Sequence, residues 1–169
     1  KANSALAILR LLAQMGAGFD IVSGGELERV RRADKAALKR VVCSGVGKQV
    51  WEIDAALKAG VLLFNVESET ELELLAARSK GLGVRARFAL RVNPDVFAET
   101  HPYISTGLRE HKFGIDIRKA AEIYRAAARN KWLELHGISV HIGSQIRSAD
   151  PFGAAVGREL ALVSIHAPV

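Results

Sequence analysis

Leu135-His136-Gly137-Ile138-Ser139-Val140-His141-Ile142-Gly143-Ser144-Gln145 is the stretch from which the fold can be read. Apolar and β-branched residues run up to His141, and Gly143 and Ser144 then break the pattern, so the sequence predicts a buried strand opening into a small-residue loop. His141 is thereby placed at the carboxyl end of a strand. A flat imidazole followed by a Gly-Ser turn suits a planar ligand carrying a phosphate: the ring can stack, the glycine permits close approach, and hydroxyl and amide groups can hold the anion. A histidine simply satisfied at a strand end fits these residues equally well.

Upstream, short apolar runs alternate with helical stretches, the pattern of βα units on a parallel sheet, in which ligands gather at the carboxyl ends of the strands. Strands are predicted at 18–22, 41–44, 61–65, 86–92 and 135–141. The first helix is expected to be capped by Asn3 or Ser4, to bury Ile8, Leu11, Leu12 and Met15, and to stop at Gly16. Ser23 with Glu26, and Ser68 with Glu71, form capping-box patterns that start two further helices. Between them, Val50, Ile53, Ala56 and Leu57 share one helical face. The carboxylates Glu67, Glu69, Glu71 and Glu73 suit the dipole of a helix start without any catalytic role. Gly45-Val46-Gly47-Lys48 hints at phosphate but lacks the established nucleotide-loop spacings, and reads as a βα loop. A later helix is expected to bury Ile117, Ala121, Tyr124 and Ala128, and Asp150-Pro151 opens the last one, which 164–169 do not convincingly continue.

Length and composition narrow the function. At 169 residues and 49% hydrophobic content the chain suits one domain, with no run long enough to span a bilayer and no secretory signal, so a cytoplasmic protein is expected. The single cysteine, Cys43, lies in an apolar run and excludes an intrachain disulfide or a cysteine-based zinc site. The net charge of +6 comes from residues scattered over helix faces, such as Arg29, Arg31 and Arg32, or Arg125, Arg129 and Lys131, so neither nucleic acid nor a membrane is the expected partner. From Asp95 to Phe113 runs a long connection bearing His101, Tyr103, Thr106 and His111, and long connections in compact domains are usually functional. The two histidines lie ten residues apart with no carboxylate pattern, so no metal site is expected. Five strands, each followed by a helix or a helix start, are about five of the eight units of a (β/α)8 barrel. With its start at Lys1, the chain reads as an internal piece of a longer protein.

Several motifs in order sharpen this. They are Lys1-Ala2-Asn3, Phe19-Asp20-Ile21-Val22-Ser23-Gly24-Gly25-Glu26, Ser44-Gly45-Val46-Gly47-Lys48, Phe64-Asn65-Val66-Glu67-Ser68 and Leu90-Arg91-Val92-Asn93-Pro94-Asp95. They continue with His101-Pro102-Tyr103-Ile104-Ser105-Thr106-Gly107, Lys112-Phe113-Gly114-Ile115 and His141-Ile142-Gly143-Ser144-Gln145. Together they resemble the diaminopimelate decarboxylase family, in the alanine-racemase-like class (fold type III) of pyridoxal-phosphate enzymes, over nearly the whole chain to about Val163. The His-Pro-Tyr-Ile-Ser-Thr-Gly loop followed by Lys-Phe-Gly-Ile separates this family from the ornithine and arginine decarboxylases of the class.

The resemblance implies a partial pyridoxal 5'-phosphate-binding barrel over 1–163, a tail at 164–169 that departs from the family pattern, and decarboxylation of meso-2,6-diaminopimelate to L-lysine and CO2. A non-catalytic pyridoxal-phosphate-binding protein of the same barrel class is the alternative. Lys1 matches the lysine whose amine forms the Schiff base with the cofactor, a role for which a partly desolvated amine is suited. His141 matches the histidine stacked on the pyridine ring, Ser144 a phosphate-binding residue, and Asp20 and Arg91 polar residues around the cofactor. Related enzymes carry, beyond this point, further barrel strands, a glycine-rich phosphate loop, an acidic partner for the pyridine nitrogen, and a β-domain that completes the site across a homodimer. Those parts have no counterpart in these residues, so the chain alone is expected to be inactive.

Overall fold

Short strands such as Val41–Cys43 and Leu63–Val66 alternate between a buried and a more open environment, whereas Leu133–Ser139, expected to be a buried strand, buries only Leu133 and leaves Leu135 exposed. The computed structural model describes residues 3–93, 113–143, 146 and 148–166. The helices are α1 (Leu6–Gln14), α2 (Gly24–Ala33), α3 (Val50–Ala59), α4 (Glu69–Leu82), α5 (Ile117–Ala128) and α6 (Asp150–His166), with a short 3-10 helix at Ala36–Arg40. The strands are β1 (Phe19–Ile21), β2 (Val41–Cys43), β3 (Leu63–Val66), β4 (Ala86–Asn93), β5 (Ile115–Asp116) and β6 (Leu133–Ser139).

All described pairings are parallel. β1 pairs β2, β2 pairs β3, β3 pairs β4, and β4 pairs both β6 and, at Val92 and Asn93, the two-residue β5. From β1 to β4 each strand adds beside its predecessor with no reversal of direction. That progression is the one a (β/α)8 barrel follows, and it differs from a doubly wound sheet, in which the order reverses at a switch point. The chain therefore forms an arc of such a barrel.

The register separates the two faces. Ile21, Val41, Cys43, Phe64, Val66, Phe88, Leu90 and Val92 are buried in the main core with Leu27, Val30, Ile53, Leu57, Leu75, Ile123 and Tyr124 of the helices. Their sequence neighbours Asp20, Val42, Asn65, Ala89 and Arg91 occupy the opposite face, because successive side chains point to opposite sides of a strand. The turns are set locally. Ser23 and Ser68 cap α2 and α4 by accepting from the Glu26 and Glu71 amides. The reciprocal carboxylates reach one residue further back than in a standard capping box: Glu26 accepts from the Val22 N–H at 2.6 Å and Glu71 from the Glu67 N–H at 3.3 Å.

Several expectations are corrected. In α1 the buried residues are Leu9 and Ala13, whereas Ile8, Leu11, Leu12 and Met15 are exposed. The helix is in contact with α2, and the stripe found by periodicity is left exposed. Neither Asn3 nor Ser4 is the N-cap, which is Ala5; Asn3 Oδ1 instead accepts from the Ala5 N–H. α5 buries Ala120, Ile123, Tyr124 and Ala127; of the expected stripe Tyr124 is buried, Ile117 and Ala121 pack half-buried against the core and Ala128 is exposed, and Tyr124 donates to the Gly137 carbonyl at 3.1 Å. Residues 164–166 continue α6. Finally, β6 ends at Ser139, two residues before His141. The register shifts so that Phe88 lies opposite Leu135 but Ala89 opposite Gly137, and the last described partners are Arg91 and Ser139. The extra residue at this bulge shifts the alternation by one, so that Gly137 and Ser139 share the face of Ala89 and Arg91.

Candidate active site

Polar residues collect where the inward-facing side of the arc meets the carboxyl ends of the strands. Asp20, Ser44, Asn65, Glu67, Arg91, Ser139, Val140 and His141 line one open cavity of about 120 Å³. Each strand except the short β5 supplies one wall. Asp20 comes from β1, Ser44 follows β2, Asn65 and Glu67 lie at the end of β3, Arg91 is near the end of β4, and His141 follows β6.

Three of the five expected site residues, Asp20, Arg91 and His141, thus meet in one place although 121 positions (141 − 20) separate the first from the last. Lys1 and Ser144 lie outside the described residues, as do His101, Tyr103, Thr106 and His111. Gly143, with φ 138, holds the loop after His141 in a conformation that favours glycine and lets another group approach the backbone closely.

Beneath the cavity is a buried ionic network that the sequence reading did not anticipate. Arg91 Nη1 donates to Glu67 Oε2 at 2.8 Å, and the Glu67 side chain is only 2% exposed. Glu67 Oε1 accepts from the Gly45 N–H at 3.1 Å. Lys48 Nζ donates to the Gly45 carbonyl at 2.7 Å, the Asn65 carbonyl at 2.8 Å and Glu71 Oε1 at 2.6 Å. Asn65 Nδ2 donates to Ser44 Oγ at 2.9 Å. Burial pushes the Glu71 carboxyl above its ordinary range, against the downward pull of Lys48.

These contacts assign the Gly-Val-Gly-Lys loop a structural task. All three Lys48 bonds are to protein oxygens, so the lysine ties the β2–α3 loop to the β3–α4 loop. Glu67 and Glu71 are ion-paired inside the protein, whereas Glu69 and Glu73 are exposed. The dipole of α4 alone therefore does not account for the acidic run. The signal that could have identified Glu67 is its spacing: Leu63, Asn65 and Glu67 share one strand face, opposite the buried Phe64 and Val66. Cys43 is buried beneath the same strand ends, and burial pushes its thiol up to about 12, which makes it inert.

A parallel βα arc with one polar cavity at the carboxyl ends of its strands defines a class of barrel proteins whose ligands bind at that end. Residues 1–167 match the family model described as pyridoxal-dependent decarboxylase, pyridoxal binding domain, and the chain belongs to that family. It is 54% identical over 163 residues to the diaminopimelate decarboxylase of Vibrio cholerae, and 55% identical over 167 residues to that of Pseudomonas fluorescens. Each alignment covers 96% of this chain and 39% of the relative, so the chain spans about two fifths of the length of these relatives. The crystal structure of diaminopimelate decarboxylase from Helicobacter pylori complexed with L-lysine superposes with a TM-score of 0.86 at 41% identity, covering 97% of this chain and 42% of that one.

The donor set fits the cofactor for which the family is named. An imidazole beside a close-approach glycine offers a face to a flat ring, and a carboxylate, a guanidinium and hydroxyls offer partners for its polar substituents.

Proposed function

We propose that this chain is the pyridoxal-phosphate-binding barrel segment, 1–163, of a diaminopimelate decarboxylase, which converts meso-2,6-diaminopimelate to L-lysine and CO2 in the cytoplasm. The observation that carries the reading is the meeting of Asp20 of β1, Arg91 of β4 and His141, just after β6, in one cavity at the carboxyl ends. The names of the relatives support the substrate, and the L-lysine bound to the Helicobacter pylori enzyme agrees with the product. No helix among the described residues is long and apolar enough to cross a membrane.

In this reading Lys1 Nζ holds the cofactor aldehyde, His141 lies against the ring, the Ser144 hydroxyl supports the phosphate, and Asp20 and Arg91 orient polar groups from the walls. When bound, pyridoxal phosphate supplies an electron sink for the pair left at the substrate α-carbon as CO2 departs. The buried apolar side chains behind the strands keep Arg91 and Glu67 in a partly dehydrated wall, where a fixed hydrogen bond orients more strongly than in water. The relatives extend well beyond the aligned residues, and we assign the rest of the site, with a homodimeric assembly, to that additional length.

The test is an absorbance titration of the purified chain with pyridoxal phosphate, followed by an assay for L-lysine from meso-2,6-diaminopimelate. The reading expects saturable binding that His141→Ala weakens, with no robust lysine formation by the chain alone. Binding that does not saturate, or that is indifferent to His141→Ala, overturns it.

A further inference from the structure

Glu67 is the one cavity-lining carboxylate whose side chain is almost wholly buried, and no role in the site has been assigned to it. Burying a carboxylate is unfavourable unless its oxygens are engaged, and here both are: Oε2 by Arg91 Nη1 and Oε1 by the Gly45 N–H. The clamp is itself clamped. The Glu67 N–H donates to Glu71, Glu71 accepts from Lys48, and Lys48 donates back to the Gly45 carbonyl, so the bonds return to the residue that holds Glu67. Gly45 has φ +91, and a Cβ there would meet Val22 at 3.2 Å, so both the backbone direction and the space favour glycine where the N–H is aimed at Glu67.

We propose that Glu67 is a positioning residue that fixes the direction in which the Arg91 guanidinium faces the cavity. The proposal rests on the reading of this cavity as the pyridoxal-phosphate site. A planar guanidinium held at one terminal nitrogen by a buried carboxylate loses rotation about its long side chain and presents its other N–H groups in a defined plane. Glu67 also balances the Arg91 charge. Arg91 therefore acts on a ligand by direction rather than by net charge, and the anionic end of a cofactor is left to other groups.

Two readouts test this. The first needs no cofactor: nitrogen-15 NMR of the Arg91 guanidinium, assigned by its loss in Arg91→Lys. Restricted rotation with separate Nη signals is expected in the wild-type chain, and averaged signals in Glu67→Gln. The second is pyridoxal phosphate affinity measured across the single variants Glu67→Gln and Arg91→Lys and the double variant. A loss of about tenfold is expected for each single variant, the scale of one charge-assisted hydrogen bond, and the double variant should be no weaker than Arg91→Lys. A merely structural Glu67 would give additive losses, which overturns the proposal. A wild-type chain that binds no cofactor refutes the cofactor reading, while the NMR result still decides whether Glu67 orients Arg91. Should Glu67→Gln fail to fold, the wild-type spectrum decides alone, and one averaged Nη signal for Arg91 overturns the proposal.

Discussion

Replacing Lys48 by methionine should be among the most damaging single changes in this chain, although no expected site residue is touched. The Lys48 side chain is 7% exposed and that of Glu71 11%, and their charged atoms are 2.6 Å apart. Removing one partner of a buried pair leaves the other charge without compensation and typically costs about 3–5 kcal/mol. Lys48→Met also removes the donor shared by the Gly45 and Asn65 carbonyls, which keeps the cost toward the upper end. Against a typical domain stability of about 5–15 kcal/mol this is a large fraction. At about 2–4 °C per kcal/mol for a chain of this size, the midpoint should fall by roughly 6–20 °C. The assay is urea and thermal unfolding followed by far-ultraviolet circular dichroism. The pH dependence has a definite sign. Because the folded Glu71 carboxyl is held above its ordinary range, its contribution to stability is present when it is protonated and is lost as pH rises through the folded value. Without Lys48 that value rises further, so the defect should shrink as pH is lowered from neutrality. The double variant Lys48→Met/Glu71→Leu should recover a large part of the loss. A loss below about 1 kcal/mol, the scale of a solvated surface pair, would refute the reasoning.

Other expectations are simpler. Gly45→Ala forces a side chain into φ +91 and against Val22, and should cost about 1–3 kcal/mol in denaturant unfolding. Ser79 in α4 is fully buried and its hydroxyl has no partner among the described residues, so Ser79→Ala should be neutral or stabilising by up to about 1 kcal/mol. Cys43, with its thiol pushed up to about 12, should resist thiol reagents near neutral pH until the chain is unfolded in denaturant. Ser68→Ala removes the cap of α4 and should cost about 1 kcal/mol by the same unfolding assay.

The main strands were legible because each is a short apolar run bounded by glycine or polar residues, and the capping serines marked where α2 and α4 begin. β5 was not, because a two-residue strand has no period to detect. The α1 face was misjudged for a different reason. Periodicity finds an apolar stripe in Ile8, Leu11, Leu12 and Met15 but cannot say which face meets a neighbour, and the residues buried are Leu9 and Ala13. His141 was legible from its own stretch, as a residue at a strand's carboxyl end, whereas Asp20 and Arg91 entered the expected site only through the family resemblance. The bulge in β6 was not legible, because it is a feature of the β4 register rather than of its own sequence. Glu67 and Lys48 were missed because their partners are distant in sequence, and a carboxylate at a helix start has a sufficient local explanation.

The most direct measurement of the central claim is reductive trapping: the chain is mixed with pyridoxal phosphate, reduced with borohydride, and digested to map the labelled nitrogen by fragment-ion mass spectrometry. A pyridoxal-phosphate site predicts selective labelling of Lys1 Nζ that is lost in His141→Ala. Label spread over exposed lysines such as Lys35 and Lys58, and unchanged in that variant, would contradict it.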